Sequence, residues 1–181
     1  MRSILVDWLV EVHFKFKLYP ATLWLTVNII DRFLSKVPIK RARLQLVGIS
    51  SFFIACKFEE VCLFSVCFDL FLVVALLCNR KFVAYHSTFS FLKLCAHSYC
   101  RFFLWQVYPP EAKDFVHITD NAYTRQEMLA MESDILNALN YEILVPTGFN
   151  FLSRYLNCIR ASDSTRNLAS YYAERNLQVL I

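Results

Sequence analysis

The sequence predicts an all-α fold: a five-helix bundle followed by the start of a second helical unit. Three observations carry this. Only 2 Gly and 5 Pro occur in 181 residues, too few turn residues for a many-stranded sandwich or barrel. The same scarcity excludes a glycine-rich phosphate loop. Apolar residues recur at helical spacing outside one unusual block. Finally, Thr124-Arg125-Gln126-Glu127 is a capping box, in which the Thr hydroxyl takes the N3 amide and the Glu carboxylate reaches back to the cap amide.

The elements follow in order. Ile4, Leu5, Trp8, Leu9 and Val12 share one face of a helix over 1–17. Pro20 ends that helix, and Thr22 is expected to cap the next. In 22–35, Leu23, Val27, Ile30, Phe33 and Leu34 repeat the spacing, and Pro38 closes it. Residues 41–59 are apolar nearly all round, the pattern of a central buried helix. Within it Gly48, Ser50, Ser51, Ala55 and Cys56 are small enough to let neighbouring helices approach closely. Tyr108-Pro109-Pro110-Glu111 reads as a loop and helix start. Behind the capping box, Met128, Met131, Ile135 and Leu139 share a face. Pro146 then breaks the chain. Phe149, Leu152, Tyr155, Leu156 and Ile159 open a sixth helix, and a seventh follows before Ile181.

Residues 61–106 stand apart. The chain is 57% hydrophobic, where about 45–50% is usual, and the excess sits in this block of 46 residues. It holds 5 of the 7 Cys and 8 of the 17 Phe. It also carries Arg80, Lys81, Lys93 and Arg101 against one acid, Asp69, so most of the net charge of +4 belongs to it. The remainder is close to balance and offers no basic stripe for nucleic acid. Outside the block only Cys56 and Cys158 remain, which is no disulfide framework and fits a reducing compartment. Cys62 with Cys67, and Cys95 with Cys100 around His97, resemble zinc spacings superficially. Thiolate sites use short spacings between turn residues, however, and these thiols lie in Phe/Leu runs as apolar filler. The run 61–78 is a marginal membrane span whose central Asp69 costs roughly 2.5–3.5 kcal/mol on insertion scales. Asp7 and Glu11 interrupt any signal-peptide core.

No catalytic, metal or cofactor site is expected. His13, His86, His97 and His117 fall in no metalloprotease spacing, and no Ser sits in a nucleophile elbow. Glu59-Glu60 reads as a polar helix end. The informative charges lie on otherwise apolar helices: Arg2, Asp31, Lys57 and Glu132. A charge on a buried face is costly unless paired, so Arg2 and Asp31 read as an internal ion pair fixing the first helix to the second. For Lys57 and Glu132, an internal pair and a partner-binding pair stand equally open. The aromatics Phe58 and Tyr141 beside them, read as exposed, favour an interface.

The segment Met1-Arg2-Ser3-Ile4-Leu5-Val6-Asp7-Trp8-Leu9 resembles the opening of the cyclin box in mitotic, A/B-type cyclins. Thr26 through Leu34 resembles its second helix. Leu44-Gln45-Leu46-Val47-Gly48 and Ala55-Cys56-Lys57-Phe58-Glu59-Glu60 resemble the third, and Asp120-Asn121-Ala122-Tyr123-Thr124 the junction of the fourth and fifth. Glu11-Val12-His13 and Asn28-Ile29-Ile30 are closer to the B type. The resemblance covers 1–60 and 107–178.

It implies a cyclin box over 1–145, interrupted by 61–106, and the truncated start of a second box over 146–181. It implies no catalysis and no cofactor. The implied partner is a cyclin-dependent kinase catalytic subunit, whose regulatory helix the domain sets in the active position. Lys57 and Glu132 would contact that helix and its preceding loop, and Phe58, Tyr141 and Ile143 would pack on it. Arg2, Asp31 and Leu46 would be structural members of the signature. Met1, Ile4, Leu5, Trp8, Glu11 and Gln45 would form a docking patch for short Arg-x-Leu segments of substrates or inhibitors. The bland alternative for that patch is core packing, with Leu9 and Val12 on a different side of the helix from Met1 and Leu5. Nucleus and cytoplasm are the implied locations, with neither nucleic acid nor membrane as a partner.

Three departures accompany the resemblance. In the family, Lys-Phe-Glu-Glu runs directly into the Tyr-Pro-Pro-Glu loop; here the block intervenes. It reads as a retained intron: a Val codon at 61 can hide a donor, a Gln codon at 106 an acceptor, and its 46 codons keep the frame. A real loop or a membrane-seeking insertion is the alternative. The chain also begins at the box, without the family's preceding regulatory region, and ends in the second helix of the second box. Competing functional readings are another cyclin-box scaffold of transcription-factor type, a membrane-anchored helical protein using 61–78, and a non-functional product of a mis-spliced gene. The near-balanced charge disfavours the first of these.

Overall fold

A computed structural model of the chain describes residues 1–60 and 110–179. The apolar block, with its cysteine spacings and the 61–78 span, lies outside these residues, as do Tyr108 and Pro109. The described residues form seven α-helices and no strand: α1 (Arg2–Phe16), α2 (Pro20–Lys36), α3 (residues 44–60), α4 (Ala112–Ile118), α5 (Arg125–Ala138), α6 (Gly148–Cys158) and α7 (Asp163–Val179). A 3-10 turn, Arg41–Arg43, leads into α3.

The central helix is α3. Leu46 through Cys56 are all buried, without an exposed stripe. Small residues there do what their size suggests. A Cβ added at Gly48 would lie 2.8 Å from the Leu5 side chain, and the Ser50 hydroxyl donates to the Met128 carbonyl at 3.2 Å. Met128, Met131 and Ile135 form the buried stripe of α5, continued by Leu139 at its C-cap. From the short α4, Phe115 enters the core fully buried, with ring centroids 5.4–5.8 Å from Phe16, Phe52 and Phe53.

The start of α2 differs from the expectation. Pro20, not Thr22, opens the helix, with Tyr19 as the N-cap residue; proline's fixed φ and missing N–H suit the first helical position. Thr22 is buried one turn in. The capping acceptor comes from a distance. The Glu60 carboxylate accepts from the Tyr19 N–H at 2.9 Å and from the Thr22 hydroxyl at 2.7 Å. Glu60 is therefore a clip from α3 to the head of α2, not simply a polar helix end. The Thr124 capping box forms as read, with the Glu127 N–H 3.2 Å from the Thr124 hydroxyl. The Thr124 N–H and hydroxyl hold the Glu127 carboxyl below its usual range. A depressed carboxylate contributes stability above its unfolded pKa and loses it as pH falls through the folded one.

The second helical unit is sparsely buried. Gly148 abuts Trp24 of α2, where an added Cβ would lie 2.6 Å from the ring. α7 lies against α1 through buried Leu177 and a 2.8 Å hydrogen bond from Gln178 to Asp7. Arg166 donates to the Leu156 and Ala161 carbonyls and closes the end of α6. Phe151, Tyr155, Ile159, Leu168, Tyr171 and Tyr172 stay exposed. No helix among the described residues is long and apolar enough to cross a membrane.

Cys56 is 1% exposed and burial pushes its thiol well up, whereas Cys158 is exposed. The thiolate is the reactive form. A thiol-alkylating reagent is therefore expected to label Cys158 in the native chain and Cys56 only after denaturation, as read by peptide mass spectrometry. Native labelling of Cys56 would contradict a central α3.

Candidate functional site

Two ion pairs join the helices, and their surroundings differ. Arg2 on α1 grips Asp31 on α2 through Nε at 2.7 Å and Nη2 at 2.8 Å. Its remaining Nη1 donates to the Leu177 carbonyl of α7 at 2.7 Å. Such a bidentate fork fixes orientation as well as position, so Arg2 ties three helices together. The hydrogen bond to Asp31 raises the guanidinium's already high pKa. Leu46 lies buried in the core.

Lys57 on α3 and Glu132 on α5 also meet, Nζ to Oε1 at 2.5 Å. The Lys57 side chain is 48% exposed and that of Glu132 12%. The Lys57 ammonium further sits 4.0 Å from the centroid of the Phe53 ring, a cation–π contact. The two sequence alternatives therefore meet at one place: the pair forms within the chain, yet half of the lysine side chain is open to solvent. Phe58 is half-buried against the core rather than freely exposed. Ile143 is likewise half-buried.

Tyr141 is exposed, and its backbone is unusual. Asn140 and Tyr141 both have left-handed φ values, 52° and 59°. For an L-residue this conformation costs roughly 1–2 kcal/mol. It is supported by the Tyr141 N–H, which donates to the Leu136 carbonyl at 2.9 Å and ends α5. The Tyr141 hydroxyl donates to Asn137 at 3.2 Å.

In the docking set, Met1, Ile4 and Glu11 are exposed, and Trp8 and Gln45 are half-buried. Leu5 is different: it is 8% exposed and packs at Gly48. Leu5 lies one turn from both Met1 and Leu9; the close approach of α3 at Gly48 covers it, whereas Met1 at the head of α1 stays exposed. Sequence reasoning missed the Glu60 clip, whose only signal is a carboxylate at the end of a buried helix. It also missed the second capping box, in which the Glu111 N–H donates to Asp114 at 2.8 Å.

The family model described as the cyclin N-terminal domain matches residues 1–86 and 104–144. The chain belongs to the cyclin family. The match runs into the first part of the apolar block and breaks at 87–103, inside it. Cyclin-B1-4 of Arabidopsis thaliana is 38% identical over 178 residues, covering 98% of this chain and 34% of that protein. The G2/mitotic-specific cyclin S13-7 of Glycine max is 37% identical over 174 residues, covering 96% of this chain and 50% of that one. Relatives of this kind make the chain a B-type-like cyclin-box protein. The X-ray structure of a viral cyclin from herpesvirus saimiri superposes with a TM-score of 0.60 at 19% identity, over 96% of this chain and 56% of that one. That likeness shows the fold. The chain thus spans a third to a half of the length of these curated cyclins. Cyclins are regulatory rather than catalytic proteins, and the described residues hold no cluster of potential metal ligands.

Proposed function

We propose that this cyclin is the regulatory subunit of a cyclin-dependent kinase, which it binds and activates to control mitotic progression in nucleus and cytoplasm. The observation that carries the reading is the Lys57–Glu132 pair. In a cyclin box these are the residues the resemblance assigns to the kinase's regulatory helix. Here they meet between α3 and α5 with the lysine half open to solvent. Phe58 follows Lys57 on α3, and Tyr141 and Ile143 follow the end of α5. A few desolvated aromatics and charges of this kind dominate interface energies. Exposed Met1 and Ile4, the edge of Trp8 and the Glu11 carboxylate support a second role, docking Arg-x-Leu segments of substrates or inhibitors, since they pair an apolar surface with an acid for the motif's base.

The test is calorimetric titration of the full chain with a purified cyclin-dependent kinase subunit, alongside phosphotransfer to a peptide substrate. Because the apolar block begins four residues after Lys57, the chain as written is expected to bind the kinase poorly, and a form lacking residues 61–106 to bind it and to stimulate phosphotransfer. Replacing both Lys57 and Glu132 by Ala should weaken binding by about 100-fold, the effect of losing a central hot spot, with little change in melting temperature. A form lacking residues 61–106 that has no affinity for the kinase, or unchanged activation by the double variant, would sink the reading. The intron reading of 61–106 has its own test: a mature transcript that retains codons 61–106 overturns it.

A further inference from the structure

Between Asp31 and Glu59 the chain carries six bases and no acid. Three of the bases are engaged within the fold. Arg32 donates to the Glu142 carbonyl at 2.8 Å, Lys36 donates to the Ala138 carbonyl at 2.9 Å, and Lys57 meets Glu132. The other three, Lys40, Arg41 and Arg43, are exposed. None of them has an ion-pair partner among the described residues.

The link between α2 and α3 sets them outward. Pro38 biases the residue before it toward extended backbone, and Val37 ends α2 at φ −125° and ψ 118°. Lys40 is also extended, and Arg41–Arg43 is a single 3-10 turn without a buried residue. The Arg43 N–H donates to the Lys40 carbonyl at 2.9 Å, and the Tyr123 hydroxyl donates to the Ala42 carbonyl at 3.1 Å. Both bonds fix the main chain and neither engages a cationic side chain. Arg43 reaches the Glu127 carboxylate only as a weak field, and that carboxylate already accepts from Thr124.

Three uncompensated cations within four residues favour an acidic partner. Nucleic-acid affinity grows with the number of phosphates neutralised, and three cations on a surface otherwise near charge balance neutralise few. An Arg-x-Leu segment brings its own base, so charge separates the partner of this turn from that of the neighbouring docking set. A short exposed Lys/Arg run is instead the form of a nuclear-localisation signal.

We propose that Lys40-Arg41-Ala42-Arg43 is a docking site for a nuclear-import receptor, whose acidic groove takes the three cations. Lys40 supplies a compact ammonium, and Arg41 and Arg43 supply planar forks that can each grip a carboxylate through two hydrogen bonds. The inference rests on the nuclear location proposed above and is independent of the kinase contacts.

Titration of the full chain with a purified nuclear-import adaptor that reads basic signals tests it, at low and high salt and with melting temperature followed in parallel. The parent is expected to bind. The triple variant Lys40→Ala, Arg41→Ala, Arg43→Ala should bind about tenfold or more weakly at low salt, with a smaller difference at high salt. Its melting temperature should match the parent, because the three side chains are exposed. Arg41→Lys with Arg43→Lys keeps the charge and should lose less than the triple variant. In cells, a fluorescent fusion of the triple variant should show a lower nuclear-to-cytoplasmic ratio than the parent fusion. A parent chain that does not bind the adaptor, or a triple variant with parent-like affinity, overturns the proposal. Binding to a random-sequence DNA duplex as tight as to the adaptor also overturns it, because the turn is then a general polyanion patch. Adaptor binding that the triple variant loses, with a parent fusion that stays in the cytoplasm, upholds the docking site and overturns the nuclear location instead.

Discussion

Phe115→Ala is expected to lower the stability of the chain by about 3–5 kcal/mol, the cost of truncating a buried phenylalanine. The ring is 0% exposed and stands within 5.4–5.8 Å of Phe16, Phe52 and Phe53, counted between ring centroids. Its removal leaves a cavity bordered by α1 and α3, and neither can collapse inward easily because Leu9 and Phe52 are already fully packed. The carrier helix makes the loss larger. α4 has 7 residues, far below the length at which a helix persists alone, so it is held by what it buries. Only Phe115 and Ala112 on it are buried. Urea unfolding followed by circular dichroism measures the effect. Phe115→Leu, which keeps most of the volume, is expected to lose much less. A loss below about 1 kcal/mol for Phe115→Ala, outside the range for such truncations, would mean that α4 is not part of the cooperative core.

Much of this architecture was legible because it depends on local periodicity. The stripe Met128, Met131, Ile135 and Leu139 requires only a 3.6-residue repeat, and α3 announces its central position by lacking a polar face. Arg2 and Asp31 could be matched because a charge on an apolar face must find a partner. Features that depend on which helix lies opposite were not legible. Leu5 looked like a neighbour of Met1, yet the close approach at Gly48 draws it into the core. Thr22 has the chemistry of a local cap, whereas the acceptor for the head of α2 is Glu60, 41 residues from Tyr19. The left-handed pair at Asn140 and Tyr141 has no glycine to betray it. On α6 the apolar pattern was correct, but the pattern records side-chain type and not the presence of a partner, and Phe151, Tyr155 and Ile159 remain exposed.

The pair at the centre of the candidate site makes a prediction that separates scaffold from recognition. Lys57→Glu alone places a second carboxylate beside Glu132, whose side chain is 12% exposed and loses its cation. The expected destabilisation is on the order of 1–3 kcal/mol, that of a partly buried polar group left unpaired. Exchanging the two residues, Lys57→Glu with Glu132→Lys, restores opposite charges across the same gap. Folding stability should return to within about 1 kcal/mol of the parent; the remaining deficit is the cation–π contact with Phe53, which an exchanged pair cannot rebuild on α3. Kinase affinity should behave differently. A partner shaped for a cation on α3 and an anion on α5 now meets the reverse arrangement, and like charges facing one another cost several kcal/mol. The exchanged chain is therefore expected to melt almost like the parent while binding the kinase about 100-fold more weakly. Thermal unfolding and kinase titration on the same preparations read the two effects separately. If the exchange restores affinity together with stability, the pair is a brace between α3 and α5 with no recognition role, and contact with the kinase must lie elsewhere on the domain.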